Sequence, residues 1–206
     1  GLSGTPLNEA FVCLHQILPQ FQKQNKLQKV QCIVLTDGEA NHLSRHVEVK
    51  RHWESEPYIG YRQLSGGVTF LRDRKTGNTY QVPYGWHGFS DLMLRNLRDN
   101  FPSVNFIGIR VLENRDANAF LKLYYNLYDS NYEQMQKDWK KLRSFAIKDS
   151  GYHAYFAMSA ASLSQDAEFE VDEGATKAKI KSAFIKSLKT KKLNKKVLGQ
   201  FMELIA

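Results

Sequence analysis

Two short segments carry oxygen-bearing side chains that could bind a divalent cation. One is Gly4-Thr5-Pro6-Leu7, and the other is Ile33-Val34-Leu35-Thr36-Asp37-Gly38. Thr5 stands where a helix is predicted to begin, and Asp37 stands where a buried strand is predicted to end. In a parallel sheet this order can bring a hydroxyl and a carboxylate to one edge, where ligands of such sheets bind. Both are hard oxygen ligands, so the pair predicts a site for Mg²⁺ or another divalent cation.

The elements that must position this pair follow from local patterns. Pro6 suits the first position of a helix, and Thr5 before it is a good N-cap. Apolar residues then recur at helical spacing and predict a packed helix whose stripe comprises Leu7, Phe11, Leu14, Leu18 and Phe21, widened by Ala10, Cys13 and Ile17. Residues 30–35 form an apolar, β-branched run, which is typical of a strand covered on both faces. Taken singly, a Thr before Pro is usually only a cap and an Asp-Gly only a turn.

Taken together, the two segments resemble the von Willebrand factor A-type domain. That family binds Mg²⁺ at a metal-ion-dependent adhesion site (MIDAS) built from three loops: Asp-x-Ser-x-Ser after the first strand, a Thr before Pro, and an Asp in Thr-Asp-Gly. This chain matches the second loop at Thr5 and the third at Asp37, and neither Asp149-Ser150-Gly151 nor residues 159–164 match the first. The resemblance therefore implies a metal site with ligands Thr5 and Asp37 that depends on a third loop from elsewhere.

The missing loop affects the expected fold. The resemblance implies a doubly wound, mostly parallel α/β sheet, Rossmann-like and of von Willebrand A type. The first strand of such a sheet is central, so its absence would leave an apolar edge unpaired. The sequence begins with Gly rather than Met. We expect upstream residues of the intact protein, or else another chain, to complete the sheet.

Within the family, the chain is similar to divergent A-type domains encoded by bacteriophages and likened to the cobaltochelatase subunit CobT. The similarity extends to the tail, which reads Phe-Glu-Val, Lys-Ser-Leu-Lys and Asn-Lys-Lys-Val-Leu in order. It implies a Mg²⁺-dependent protein-binding adaptor, rather than an enzyme, that works with a ring-forming AAA+ ATPase of the MoxR or CobS type, as in a chelatase. A carboxylate of that partner would complete the cation's coordination. The expected location is the cytoplasm, that of the host cell if the protein is phage-encoded, or else the virion.

Two other functions remain open. The first is a metal-dependent hydrolase or nuclease in which Asp37 and Glu39 hold a catalytic ion. The second is a structural viral protein whose metal loops are vestigial. A zinc site is a further alternative, because His42 and His46 would share one face of a helix with Glu39 nearby. The metalloprotease signature is absent, since no Glu follows His42.

The net charge of +8 at first suggests a nucleic-acid partner. Residues 177–206 contain nine lysines and one acid, Glu203, so the whole excess lies in this tail. Apolar residues at helical spacing predict two short amphipathic helices there. The lysines form either a solvated helical face or a docking site for an acidic partner or a phosphate backbone. The lack of Arg argues against base-specific contacts.

The chain is predicted to comprise a partial A-type domain, residues 1–160, and a lysine-rich helical appendage, residues 161–206. Residues 43–88 form an insertion with a β-hairpin around Lys75-Thr76-Gly77-Asn78. Its aromatic residues form either a small core or a binding surface. The remaining predicted elements are strands at 104–111, 155–158 and 169–171, helices at 90–97 and 120–127, and a helix opened by a Ser130–Glu133 capping box. Cys13 and Cys32 are predicted to be reduced core residues, and no run is long enough to span a membrane.

Overall fold

The computed structural model describes residues 4–64, 66–85, 87–147 and 150–160, together with residues 176, 179, 182, 199 and 202. Helices and strands alternate irregularly along this part of the chain. In order they are α1 (Leu7–Asn25), β1 (Val30–Thr36), β2 (Ser44–Val49), β3 (Tyr58–Gln63), β4 (Phe70–Arg72), β5 (Thr79–Gln81), α2 (Gly88–Asn100), β6 (Val104–Leu112), α3 (Ala117–Tyr124), α4 (Ser130–Leu142), β7 (Ser144–Ile147) and β8 (Ala154–Ser159).

The central sheet has four strands in the order β1-β6-β8-β7. β6 and β8 run parallel from the Ile107–Ala154 pair to the Leu112–Ser159 pair, and β7 joins β8 antiparallel. The prediction of a mixed α/β fold with a mostly parallel sheet is therefore confirmed. β7 was not predicted, because this short strand follows directly on α4 without a turn signal.

β1 forms one edge of this sheet among the described strands. Two of its apolar side chains, Ile33 and Leu35, are 50% and 67% exposed. The prediction that this strand is covered on both faces is therefore wrong for these side chains. The expectation that a missing first strand leaves an apolar edge unpaired stays a prediction, because these side chains lie on the faces of β1 and not at its hydrogen-bonding edge.

The chain divides into two compact units. The first comprises residues 1–32, 38–106 and 150–153, and the second comprises residues 33–37, 107–149 and 154–206. In the first unit, α1 and α2 bury apolar side chains, which include Phe11, Leu18, Leu92, Leu94 and Leu97. In the second unit, aromatic rings pack edge to face around the sheet, as in the pairs Phe120–Tyr155 and Trp139–Phe145.

Some local predictions about the helices are wrong. Pro6 is the N-cap residue of α1, and no side chain caps that end, so Thr5 does not act as the cap. Cys13 is exposed rather than in the core, and Ala10, Ile17 and Phe21 are exposed too, because the buried stripe of α1 is narrower than the sequence suggests. Cys32 is half-buried and free.

α4 also begins differently from the prediction. Asp129 is its N-cap, and its Oδ1 accepts a hydrogen bond from Asn131 N at 2.8 Å. The predicted capping box placed the N-cap at Ser130, one residue too late. The cap is the carboxylate of Asp129 rather than the hydroxyl of Ser130.

The insertion contains two antiparallel hairpins. The β4–β5 hairpin pairs Phe70 with Gln81 and Arg72 with Thr79, as predicted, with Gly77 at φ +79° in its turn. The β2–β3 hairpin was not predicted. It spans residues 44–63 and includes His46, so the helix expected to carry His42 and His46 is wrong. The predicted strand at 169–171 lies outside the described residues, as do nearly all residues of the predicted tail helices.

Candidate metal site

The segment around Thr5 runs beside the loop that follows β1. Thr5 forms a parallel bridge with Ala40, and Asn41 N donates a hydrogen bond to Thr5 O at 2.9 Å. Ala40 is buried and Thr5 is half-buried. This pairing fixes the backbone that carries the Thr5 hydroxyl, although the residues lie far apart in the sequence.

Two glycines permit the close approach. A Cβ atom at Gly38 would overlap Thr5 Oγ1, and one at Gly4 would overlap the side chain of Asn41. Gly4 also has a φ of +111°, which favours glycine. Gly38 directly follows Asp37 in the chain, so the Thr5 hydroxyl approaches the residue that comes after Asp37 in the sequence. Asp37 itself is exposed.

A buried polar network supports this loop. Asn8 is only 1% exposed, and its Nδ2 donates to Asn41 O at 2.7 Å. Its Oδ1 accepts from Ser90 Oγ of α2 at 2.9 Å. The side chain of Asn8 thus ties α1 and α2 to Asn41, whose backbone N–H donates to Thr5 O. Neither Asn8 nor Ser90 was predicted from the sequence, although Asn8 stands three positions before Phe11, on the face that α1 buries.

The side-chain oxygens of Thr5 and Asp37 are of the type that a hard cation binds, but they are too few to fill its coordination shell. One hydroxyl and one carboxylate are ligands that Mg²⁺ accepts, and Mg²⁺ prefers six oxygens in octahedral geometry. The described residues bring together no group of three or more His, Cys, Asp or Glu side chains that could hold a metal ion. A cation at Thr5 and Asp37 would need further ligands from water or from another segment.

The zinc alternative has no geometric support. His46 lies in β2, where its ring packs against Tyr61 with centroids 4.6 Å apart, rather than on a helix with His42. Glu39 is half-buried in the loop after β1. The predicted zinc ligands depended on helical spacing, and that spacing does not exist here.

A second polar centre lies at the start of α2. Asp91 Oδ1 accepts from Gly151 N at 2.9 Å, and Asp91 Oδ2 lies 3.6 Å from His87 Nε2. Burial raises the pKa of the Asp91 carboxyl, and burial likewise lowers the pKa of His153. His153 Nδ1 accepts from Phe106 N at 2.9 Å. These bonds hold residues 150–153 against α2 and β6, which is a structural role.

The fold is that of a mixed α/β protein with a mostly parallel sheet, in which the loop after β1 packs against Thr5. No family model matches the sequence, and no curated protein or solved structure matches it either. None of the helices in the described ranges is both long enough and apolar enough to cross a membrane.

Proposed function

We propose that the chain is a Mg²⁺-dependent protein-binding module of von Willebrand A type, with Thr5 and Asp37 as cation ligands. The observation that carries this proposal is the close approach of Thr5 Oγ1 to Gly38, the residue that follows Asp37 in the sequence. The Thr5 hydroxyl does not cap α1 and instead lies against Gly38, and the absence of a side chain at Gly38 makes that approach possible.

The support for a binding function comes from the small number of ligands. Thr5 and Asp37 leave most of an octahedral shell to other oxygens, so a carboxylate of a partner can become a ligand. When bound, the cation would supply the positive charge that recognises this carboxylate. The chain's own part is to fix the Thr5 hydroxyl through the Ala40 bridge and the Asn8 network.

A ring-forming AAA+ ATPase of the MoxR or CobS type is the partner we propose, together with a phage origin. Both rest on the resemblance at Thr5, at Asp37 and in the lysine-rich tail. The hydrolase or nuclease that would use Asp37, and the structural viral protein, stay as alternatives that no contact in the described residues favours.

The metal alone provides the first test. Titration with Mn²⁺, a paramagnetic substitute for Mg²⁺, followed by water-proton relaxation, should show a site that competes with Mg²⁺. Asp37→Ala should weaken binding by tenfold or more, and Thr5→Val, which removes only the hydroxyl, should weaken it less. Asp116→Ala is the matched control, because it removes another exposed aspartate. Equal affinity in the wild type and the Asp37→Ala variant would overturn the metal site.

The partner requires a separate experiment. Binding to a MoxR-type or CobS-type ATPase is measured with Mg²⁺ and with excess chelator, for the wild type and for Asp37→Ala. We expect binding only for the wild type with Mg²⁺. If Mn²⁺ binds at Asp37 but the ATPase binds equally under all conditions, the metal site stands and the adaptor function is wrong.

A further inference from the structure

The β2–β3 hairpin places two like charges directly opposite each other. Arg45 of β2 pairs with Arg62 of β3 in the antiparallel register, and both side chains are exposed. Like charges in directly opposed positions repel each other and destabilise a strand pair. Within the described part of the chain, neither guanidinium has an ion-pair partner. A bound anion would convert this repulsion into attraction.

The same face of the hairpin carries an aromatic side chain. Residues alternate between faces along each strand, so Tyr58 and Gly60 share the face of Arg62. Gly60 is buried, and a Cβ atom there would lie 3.3 Å from Tyr58 Cε2. The Tyr58 ring therefore rests over the glycine of its own strand, which holds it beside the arginines.

The loop between the strands adds a second ring. The guanidinium carbon of Arg51 lies 5.6 Å from the centroid of the Trp53 ring and 5.7 Å from that of Tyr58. Arg51 N donates to Glu54 Oε2 at 3.2 Å, which closes the turn that carries Trp53. The indole is 66% exposed. Arginine, tryptophan and tyrosine thus form one stacked group at the loop end of the hairpin.

We propose that this face, defined by Arg45, Arg62, Tyr58, Arg51 and Trp53, binds single-stranded nucleic acid. Arg45 and Arg62 contact the phosphates, and Trp53 and Tyr58 provide surfaces on which bases stack. Proteins that bind single strands combine a positively charged track with such rings, because every base has a π-face. An acidic peptide would use the arginines but would leave the large exposed indole without a partner. The proposal is independent of the cation site.

The salt dependence of binding tests the phosphate contacts. Affinity of the full chain for a fluorescein-labelled oligothymidylate is measured by anisotropy over a range of salt concentrations. The Arg45→Ala, Arg62→Ala double variant should reduce the slope of log K against log salt by about 1.4, because each lost phosphate contact removes about 0.7. Arg74→Ala with Arg115→Ala removes two other exposed arginines and should leave the slope nearly unchanged. The lysine-rich tail is the same in both variants, so a difference between their slopes does not arise from a change in the tail.

Stacking is tested with one substitution at the loop. Trp53→Ala should weaken oligothymidylate binding about tenfold, since the loss of one base–aromatic stack costs about 1.4 kcal/mol. Arg45→Lys with Arg62→Lys retains both charges and should keep the wild-type salt slope, which separates lost phosphate contacts from a misfolded hairpin.

Three outcomes would overturn the proposal. The first is a wild-type protein that does not bind the oligonucleotide. The second is a double alanine variant with the same slope as the control. The third is competition by polyglutamate at equal charge concentration together with an unchanged Trp53→Ala variant, which would identify the face as a site for an acidic protein.

Discussion

The two hairpins of the insertion differ in how they are attached to the protein. Asp73, at the end of β4, receives hydrogen bonds from Asn96 and Asn100 of α2 and from the backbone N–H groups of Lys75 and Thr76. These bonds, those from Asn100 and Asn96 above all, hold the pKa of Asp73 well below its usual range. The β4–β5 hairpin is thus fixed to a helix of the core.

The β2–β3 hairpin differs in its attachment rather than in its exposure, because most strand side chains of both hairpins are exposed. Gly60 is the only buried residue of its two strands, and its charged and aromatic side chains are exposed. Only Val47 and Val49 are half-buried. The comparison indicates that side-chain hydrogen bonds attach one hairpin to α2, whereas the other presents exposed charged and aromatic side chains. The prediction that the aromatic residues of the insertion form their own small core is wrong for the β2–β3 hairpin.

The largest difference between the hairpins in the free energy of unfolding is expected when an acidic residue of each is replaced by alanine. Asp73→Ala should lower the free energy of unfolding by roughly 2–4 kcal/mol, because it removes several hydrogen bonds to a charged group and leaves the amide of Asn96, 4% exposed, without its acceptor. Urea denaturation followed by circular dichroism measures this change.

The matched substitution in the other hairpin is Glu48→Ala. Glu48 is exposed in β2, so its loss should change stability by less than about 0.5 kcal/mol. Similar values for the two variants would show that the polar network on α2 does not anchor the β4–β5 hairpin.

A smaller difference in the free energy of unfolding is expected when a tyrosine of each hairpin is replaced by phenylalanine. The hydroxyl of Tyr80 in β5 donates to Asp99 Oδ2 of α2, and Asn78 Nδ2 donates to the same hydroxyl at 3.3 Å. Tyr80→Phe should therefore cost about 1 kcal/mol. Tyr61→Phe in β3, where the ring is largely exposed, should cost almost nothing. The same denaturation experiment compares the pair, and a larger loss for Tyr61→Phe would reverse the assignment of roles.

The hairpins also differ in how well the sequence predicts them. β4–β5 was predictable because its turn residues, Asp73 to Asn78, surround a glycine with positive φ, which is a local signal. β2–β3 has no such turn: its loop is long, and arginines, histidines and glutamates alternate with few apolar residues. The spacing of His42 and His46 suggested a helix instead. The pairing of β2 with β3 could not be predicted because no local sequence pattern indicates it.

A similar limit applies to the candidate site and the sheet. Thr5 and Asp37 could be named from local patterns, since each stands beside a helix or strand boundary. Asn8 and Ser90 could not, because their hydrogen bond joins residues on two different helices. The strand at β6 was predictable from its continuous apolar run, whereas the exposure of Ile33 and Leu35 depends on which elements cover β1.

The smallest expected effect is a dependence of folding stability on pH, and it arises where α1 faces the β4–β5 hairpin. His15 of α1 faces Asp73, Asn96 and Lys75, and its ring packs against Phe101 at 5.7 Å. Burial lowers the pKa of His15 below its usual 6.5, with Asp73 opposing this shift and Lys75 adding to it. The unfolded chain therefore binds a proton more readily than the folded protein between the two pKa values. Stability should consequently fall as the pH decreases through about 6.5.

His15→Gln should remove part of this decrease while leaving stability at pH 8 nearly unchanged. His153, whose pKa burial also lowers, contributes to the remainder. Urea denaturation at several pH values between 8 and 5 measures the difference, which should be only a fraction of the loss caused by Asp73→Ala. An unchanged pH dependence in the variant would mean that His15 titrates alike in the folded and unfolded states. The effect of burial on His15 and the opposing effects of Asp73 and Asn96 would then cancel in the folded protein.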